Sequence, residues 1–571
     1  MNMERYINSK SGTCEFGEVA AGSRGTPPDG RGLDRRAFLG GAVGLGAALT
    51  LVGCASGPGA QAPIGKGPTG KGSVTVFLGG TPTVLSPLAG SVGFADLMME
   101  LIFDTLVGYD PSFGYQPRLA QSYEISSDAK TYTFHLRPGM RWSDGVPFSS
   151  EDVLYTFTLL ADPRTTSASA SNFASVLGVD AFTSGKAKTI AGFTAPDPNT
   201  FVVQLVEPDL GWLATTEIFE GYILPKHVLG KIPADQVAKN SFFVAPTVSC
   251  GPFTIVDYKV DQYFQMKRNP GYWNPARLKT LYVSLGDPTV ALTALGAGTI
   301  DLVQITPETY KAAAKLNGVK VVSAPGGGPR VIFFNCAESR FADTRVRQAF
   351  LYAIDRQAII NSIENKRARI SNSVFMTPWA IPDGLATYPY NPSEAKKLLQ
   401  EAGWDSSKTV TLVTTADDPA DQLDTCYAVQ AYLQAVGVKC VVSNVDASVV
   451  DDDLNSGKWD LVITTFSNNV SDPGVVSPYL NDAGFYPNGA NLGHFRNAEL
   501  TSLMDKGNGT SSPTERADYF KQVTKIENEQ VPILPLYVAD ALFGVRDTFK
   551  GFVPTGVAYY YFSNASDWYV D

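Results

Sequence analysis

The residue with the most specific chemistry in this chain is Cys54. It ends the run Leu51-Val52-Gly53-Cys54, which closes a charge-free segment rich in Gly and Ala that starts at Ala37. Small residues before a cysteine resemble a lipobox: they let a lipoprotein signal peptidase approach the backbone, and the thiol takes a diacylglycerol group. One acyl chain holds a protein marginally and two or more hold it stably. Arg35-Arg36 stand just ahead of the apolar run, and a twin arginine in that place resembles a Tat export signal. The run is too short and too weakly apolar for a membrane span. Residues 1–53 are therefore expected to be an export signal, with Cys54 as the lipidated first residue of the mature chain.

Other reactive patterns resolve into structural ones. Gly65-Lys66-Gly67-Pro68-Thr69-Gly70 fits a GxGxxG pattern, but a phosphate loop needs a strand before it and a helix after it. Here low-complexity chain precedes and a strand-like run, Ser73 to Leu78, follows. Residues 54–72 read instead as a flexible Gly/Pro tether. The six cysteines include no CxxC pair, and the chain has three histidines, which argues against a Cys/His zinc site. Of the four body cysteines, Cys426 with Cys440 and Cys250 with Cys336 are possible disulfides, and four buried thiols are the alternative. Glu151-Asp152 suggests paired acids for proton transfer. The pair follows Ser149 at the start of an apolar helical pattern, however, where a capping box and the helix dipole account for both acids.

The elements that position such groups are mixed. The chain has 571 residues, well above the size at which one core stops growing, so two or three lobes are expected. Thr131 to Arg137 alternates, with Tyr132, Phe134 and Leu136 on one face. Asp343 caps one helix, and Asn391-Pro392-Ser393-Glu394 starts another. Strands at Thr409 to Thr414 and Lys439 to Ser443 flank a helix near Ala420 to Val436, a βαβ unit, and a strand at Asp460 to Thr465 follows. The class is α/β. Net charge is −10 with no basic block in the body, which excludes a nucleic-acid footprint.

Several segments then match one family in order. They are Leu119-Ala120-Gln121-Ser122-Tyr123-Glu124, Thr131 to Gly139, Trp142-Ser143-Asp144-Gly145 and Pro147 to Val153. Gly251-Pro252-Phe253, Arg268-Asn269-Pro270-Gly271-Tyr272-Trp273, Phe341 to Arg356, Tyr390-Asn391-Pro392 and Val531 to Tyr537 continue the match. The chain resembles the extracellular solute-binding proteins, family 5, of dipeptide, oligopeptide and nickel ABC importers. The resemblance implies a two-lobed, periplasmic-binding-protein-like fold (type II, cluster C) with two crossover segments and an extra subdomain. Lobe I is expected at 73–94, 190–330 and 531–571, the extra subdomain at 95–189, and lobe II at 331–530.

The resemblance also implies a role and a site. The role is that of a monomeric receptor on the outer face of the cytoplasmic membrane. It carries a peptide or other small solute to permease and ATPase subunits, without cofactor or catalysis. Asp472 aligns with the acid that holds a peptide ammonium; an Asx turn before Pro473 is the other reading. Phe466 stands where Trp is usual, and Asn469 where a further acid is frequent. Asn468, Trp379, Phe333, Asn335, Thr83 and Glu220 complete the expected ligand-binding set. The same receptor role for a nickel chelate, oligosaccharide or signalling peptide is the alternative. An exported hydrolase is disfavoured because no GxSxG or HExxH motif is present, and a surface adhesion protein is a third class that the tether would suit.

Overall fold

A computed structural model describes residues 72–571 apart from 83, 90–92, 111–113, 168, 217–220, 417, 467–471, 483 and 558–559. The export signal, the tether and Cys54 lie outside the described residues.

Two large sheets dominate. The first has seven strands. Ser73–Leu78 runs parallel to Thr280–Leu285 and Leu302–Ile305, and Phe253–Lys259, Tyr263–Arg268, Ala541–Arg546 and Val319–Ala324 complete it. The second has six: Arg330–Phe334 lies between Ile533–Ala539 and Leu461–Thr465, with Thr409–Thr415, Lys439–Val445 and Ala368–Ile370 outward of these. The expected βαβ unit is present, with Thr409–Thr415 and Lys439–Val445 parallel across the helix Ala420–Ala435.

Alternation explains how the second sheet is covered on both faces. Ile332 and Phe334 enter a core with Phe341 and Phe350, whereas Val331 and Phe333 enter the opposite core with Phe466 and Phe520. Both faces are buried, as expected for strands read as continuous apolar runs.

A third, four-stranded sheet joins Ala120–Ile125, Thr131–Leu136, Thr200–Gln204 and Phe193–Asp197. This moves one expected boundary: residues 193–204 pair with the extra subdomain, not with lobe I. The physical cause is cross-strand packing, since Phe134 opposes Phe201 and Tyr132 opposes Val203. The subdomain is not independent, because its aromatic residues share one continuous core with the seven-stranded sheet. A second boundary also moves. Ile533–Ala539 pairs with Arg330–Phe334 in the second sheet, so lobe I resumes near Ala541 and not at 531.

The caps formed as their sequences required. Ser149 accepts from the Glu151 N–H while Asp152 accepts from the Ser149 N–H at 3.0 Å. The other Asp152 oxygen takes the Lys226 N–H, so this acid is structural. Asp343 and Asn391 cap the helices Thr344–Ala353 and Pro392–Glu401. The four body cysteines are free thiols. Burial pushes both Cys426 and Cys440 up to about 12, so they are packing residues and not nucleophiles. Among the described residues no helix is long and apolar enough to cross a membrane, and no group of three or more His, Cys, Asp or Glu is placed to hold a metal ion.

One buried acid makes lobe II stability depend on pH. Glu527 is 1% exposed. Burial raises its carboxyl to about 8, against hydrogen bonds from Ser373 and the Val374 N–H that lower it. An unfolded glutamate titrates near its ordinary 4.5. The folded chain therefore binds the proton more tightly, and this stability is complete below pH 4.5 and lost as pH rises toward 8. Glu527→Gln should flatten that slope and raise the melting temperature at pH 8, measured by thermal unfolding from pH 5 to 8.5. An unchanged slope would contradict this account of Glu527.

Candidate functional site: the hinge cleft

Two segments connect the two large sheets. One is Pro325-Gly326-Gly327-Gly328-Pro329; the other is the turn between Ala539 and Ala541. They pack back to back. A Cβ on Gly326 would lie 2.1 Å from the Ala539 carbonyl oxygen, and one on Gly556 would lie 1.7 Å from that of Pro325. Glycine is thus required at both positions for close backbone approach. Two connections this short and this close together define a hinge axis.

A cavity of about 350 Å³ opens beside this hinge. Lobe I supplies Phe94, Gln304, Gly556 and Tyr561, and lobe II supplies Arg330, Asp418, Gln422, Thr464 and Thr465. Both crossovers contribute wall, through Gly326 to Gly328 and through Ala539 to Ala541. A second chamber of about 420 Å³ adjoins it, shares Phe94, Gln304, Pro419 and Tyr561, and is otherwise mainly apolar, with Phe77, Leu78, Leu292, Phe543 and Phe562. Such volumes, one with a largely polar wall and one mainly apolar, are in the range of small-molecule sites.

The polar wall is organised around Arg330. Its Nη2 donates to Asp421 Oδ2 at 2.5 Å and its Nη1 to Gln422 Oε1. Gln422 Nε2 in turn donates to Thr414 Oγ1 and to Asp418 Oδ2. Burial opposes the charge on Arg330, yet Tyr537, Asp421 and Glu364 around it hold its pKa above the ordinary value. Behind this layer, burial raises the Glu364 carboxyl to about 7, with Asp421 adding repulsion and Arg330 opposing. On the lobe I side, Gln304 Nε2 donates to the Tyr561 hydroxyl at 3.2 Å.

Of the residues expected from the family pattern, the described ones do not line this cavity. Phe333 is fully buried and meets Phe466 edge-on at 6.1 Å, so both belong to the core beneath the second sheet. Asn335 Nδ2 donates to the carbonyls of Gly457 and Trp459, and its Oδ1 accepts from the Ala337 N–H. All of its polar atoms are engaged in holding a turn. Thr83, Glu220 and Asn468 lie outside the described residues.

Asp472 has partners of its own. It is 4% exposed, and Arg516 grips it with both terminal nitrogens, at 2.6 and 2.9 Å. Its Oδ1 also accepts from the Gly474 N–H, which caps the short helix Pro473–Val475. The Asx-turn reading is therefore seen in the structure, and the carboxylate is engaged within the protein by Arg516 and the Gly474 N–H. Trp379 sits next to this pair: its ring meets Phe520 and lies 5.5 Å from the Arg516 guanidinium, and it is 38% exposed.

The pair also reaches the other lobe. A Cβ on Gly211 would lie 2.9 Å from Arg516 Nη2 and 3.1 Å from Asp472 Oδ1. Burial works to lower the Arg516 pKa, but its bonds to Asp472 and the nearby Asp209 charge hold it above the ordinary value. Burial raises the Asp209 carboxyl, against the Gly211 N–H and Arg516. Asp472, Arg516 and Asp209 thus form a charged contact between the lobes.

With this geometry in view, the comparisons with known proteins agree. Residues 114–487 match the family described as bacterial extracellular solute-binding proteins, family 5 Middle. A protein of Brucella ovis named as an ABC transporter peptide-binding protein is 30% identical over 500 residues, covering 86% of this chain and 91% of its own. Heme-binding protein A of Haemophilus influenzae is 27% identical over 479 residues, covering 81% and 86%. The solved structure of the ABC transporter substrate-binding protein CtaP of Listeria monocytogenes has the same fold, with a TM-score of 0.77 at 23% identity, covering 88% of this chain and 99% of that one. The chain belongs to the family 5 extracellular solute-binding proteins. It is accordingly a solute-binding protein of an ABC importer, and its family is one of substrate-binding proteins and not of enzymes.

Proposed function

We propose that this chain captures a peptide-like solute in the hinge cleft and delivers it to the permease of its importer. We further infer that it does so as a monomer tethered to the outer face of the cytoplasmic membrane through lipid on Cys54. The observation that carries the capture reading is the cavity itself. Its walls come from both lobes and both crossovers, so a solute there touches every part that moves when the lobes close. Binding then favours the closed state in proportion to the contacts that only closure supplies.

The peptide part rests on composition of the cleft and on the relative's name. Backbone-like donors and acceptors find Gln304, Gln422, Thr464 and Thr465, and an apolar chamber adjoins for a side chain. The tether, residues 54–72, supports the anchoring part: a receptor held beside its permease acts at high local concentration. Native mass spectrometry of the chain purified from its own host tests the solute. Peptide masses released from the folded chain are the expected result; release of only a sugar or a heme would overturn the peptide reading.

A further inference from the structure

We propose that Asp540 anchors a cationic group of the solute, and that this solute carries an ammonium next to an apolar side chain. The proposal rests on the receptor reading above and specifies its ligand.

Asp540 is the middle residue of the second crossover and lines the hinge chamber. Its backbone N–H is engaged with the Arg367 carbonyl at 2.7 Å. Its carboxylate makes no hydrogen bond or close ion pair with the described residues; it feels Arg369 and Arg367 only through longer-range charge. The Arg367 guanidinium is directed at Tyr310, donating to its hydroxyl and lying 4.6 Å from its ring centre.

The other charges of the chamber are committed within the protein. Arg330 is held by Asp421 and Gln422, and Asp418 accepts from the Thr415 N–H and from Gln422. Asp540 is set apart by facing the same cavity without such partners. A partly desolvated carboxylate without a partner is unfavourable in a folded chain. Consistent with this, burial raises the Asp540 pKa in spite of the two arginines. A ligand cation supplies the missing partner, and a primary ammonium offers three donors in a compact head.

The neighbouring chamber sets the rest of the ligand. Phe77, Leu78, Leu292, Phe543 and Phe562 line it, while Gln304, Phe94 and Tyr561 belong to both chambers. An ammonium at Asp540 and an apolar group beyond Gln304 must therefore sit close together in one molecule. The N-terminal residue of a peptide beginning with Leu or Phe has that arrangement. A residue with an acidic side chain at that position would meet an apolar wall.

The test uses the full chain, stripped of copurified solute, and its Asp540→Asn variant. Titration calorimetry with Leu-Ala-Ala and with N-acetyl-Leu-Ala-Ala reads the anchor. The wild type should prefer the free amine by at least about tenfold, and the variant should lose that preference by weakening only for the free peptide. Equal affinities of the variant and the wild type for the free peptide would overturn the proposal while leaving the receptor reading intact. Failure of the wild type to bind either peptide would overturn the anchor together with the peptide reading, and is recognisable because it precedes any mutation. Thermal unfolding without ligand gives a second readout. The Asp540→Asn chain should melt at or above the wild-type temperature, because an unpartnered charge is removed. A lower melting temperature would mean that Asp540 serves Arg367 and Arg369 structurally, which also overturns the proposal.

Discussion

Asp472→Ala should destabilise the folded chain by about 3–5 kcal/mol, the usual consequence of stranding one member of a buried ion pair. Arg516 is 3% exposed and, among the described residues, its guanidinium keeps one hydrogen bond, from Nε to the Gly507 carbonyl, beside the Asp209 charge, once the carboxylate is gone. Arg516→Met should cost a comparable amount for a different reason. It leaves Asp472 facing the Asp209 charge, with the Gly474 N–H as the remaining donor. The double variant Asp472→Ala with Arg516→Met removes both charges and should be markedly more stable than the sum of the single losses implies. Denaturant unfolding of the four chains forms a double-mutant cycle that isolates the pair. Additive single losses would contradict the assignment of Asp472 as a structural partner of Arg516.

Gly326→Val should weaken solute capture by roughly 5- to 150-fold while leaving each lobe folded. The Cβ alone would stand 2.1 Å from the Ala539 carbonyl oxygen, and a backbone oxygen has no rotamer by which to escape. The two crossovers must separate. Overpacking of this kind costs about 1–3 kcal/mol. If the bound state keeps this close approach, such a cost corresponds to an affinity loss of roughly 5- to 150-fold. Gly509→Ala is the matched control, since a Cβ there meets nothing within 4 Å, and its affinity should stay at the wild-type value. Calorimetry on the two variants with a bound solute from the host provides the comparison.

What could be read from the sequence was what depends on near neighbours. The caps at Ser149, Asp343 and Asn391 need partners two or three residues away, and all three formed. Alternation through Thr131–Leu136 placed Tyr132, Phe134 and Leu136 in the core. The long-range family pattern conveyed two lobes and two crossovers, but not which sheet each strand joins. Ile533–Ala539 is apolar on both faces and fits either sheet by composition; its pairing with Arg330–Phe334 is decided by topology.

The site was less legible, for a related reason. Asp472 was visible as an acid before proline, but its partner is 44 residues later on another helix, and no local pattern points to it. The hinge chamber draws on Gln304, Arg330, Gln422 and Asp540, which share no spacing. Two signals were nonetheless present. Gly326-Gly327-Gly328 interrupts two strands, and Asp540 is the lone acid in the run from Val531 to Arg546. A charge breaking an apolar run at a crossover marks a place where the backbone leaves the core and meets the cleft.

The central claim is that solute is captured at the hinge. Native mass spectrometry of the wild-type chain and of Gly326→Val, each purified from the original host, tests it most directly. The account predicts a peptide adduct on the wild type and its loss or strong depletion from the variant. The same adduct retained in full by the variant would contradict hinge capture, and a non-peptide adduct on the wild type would contradict the peptide reading.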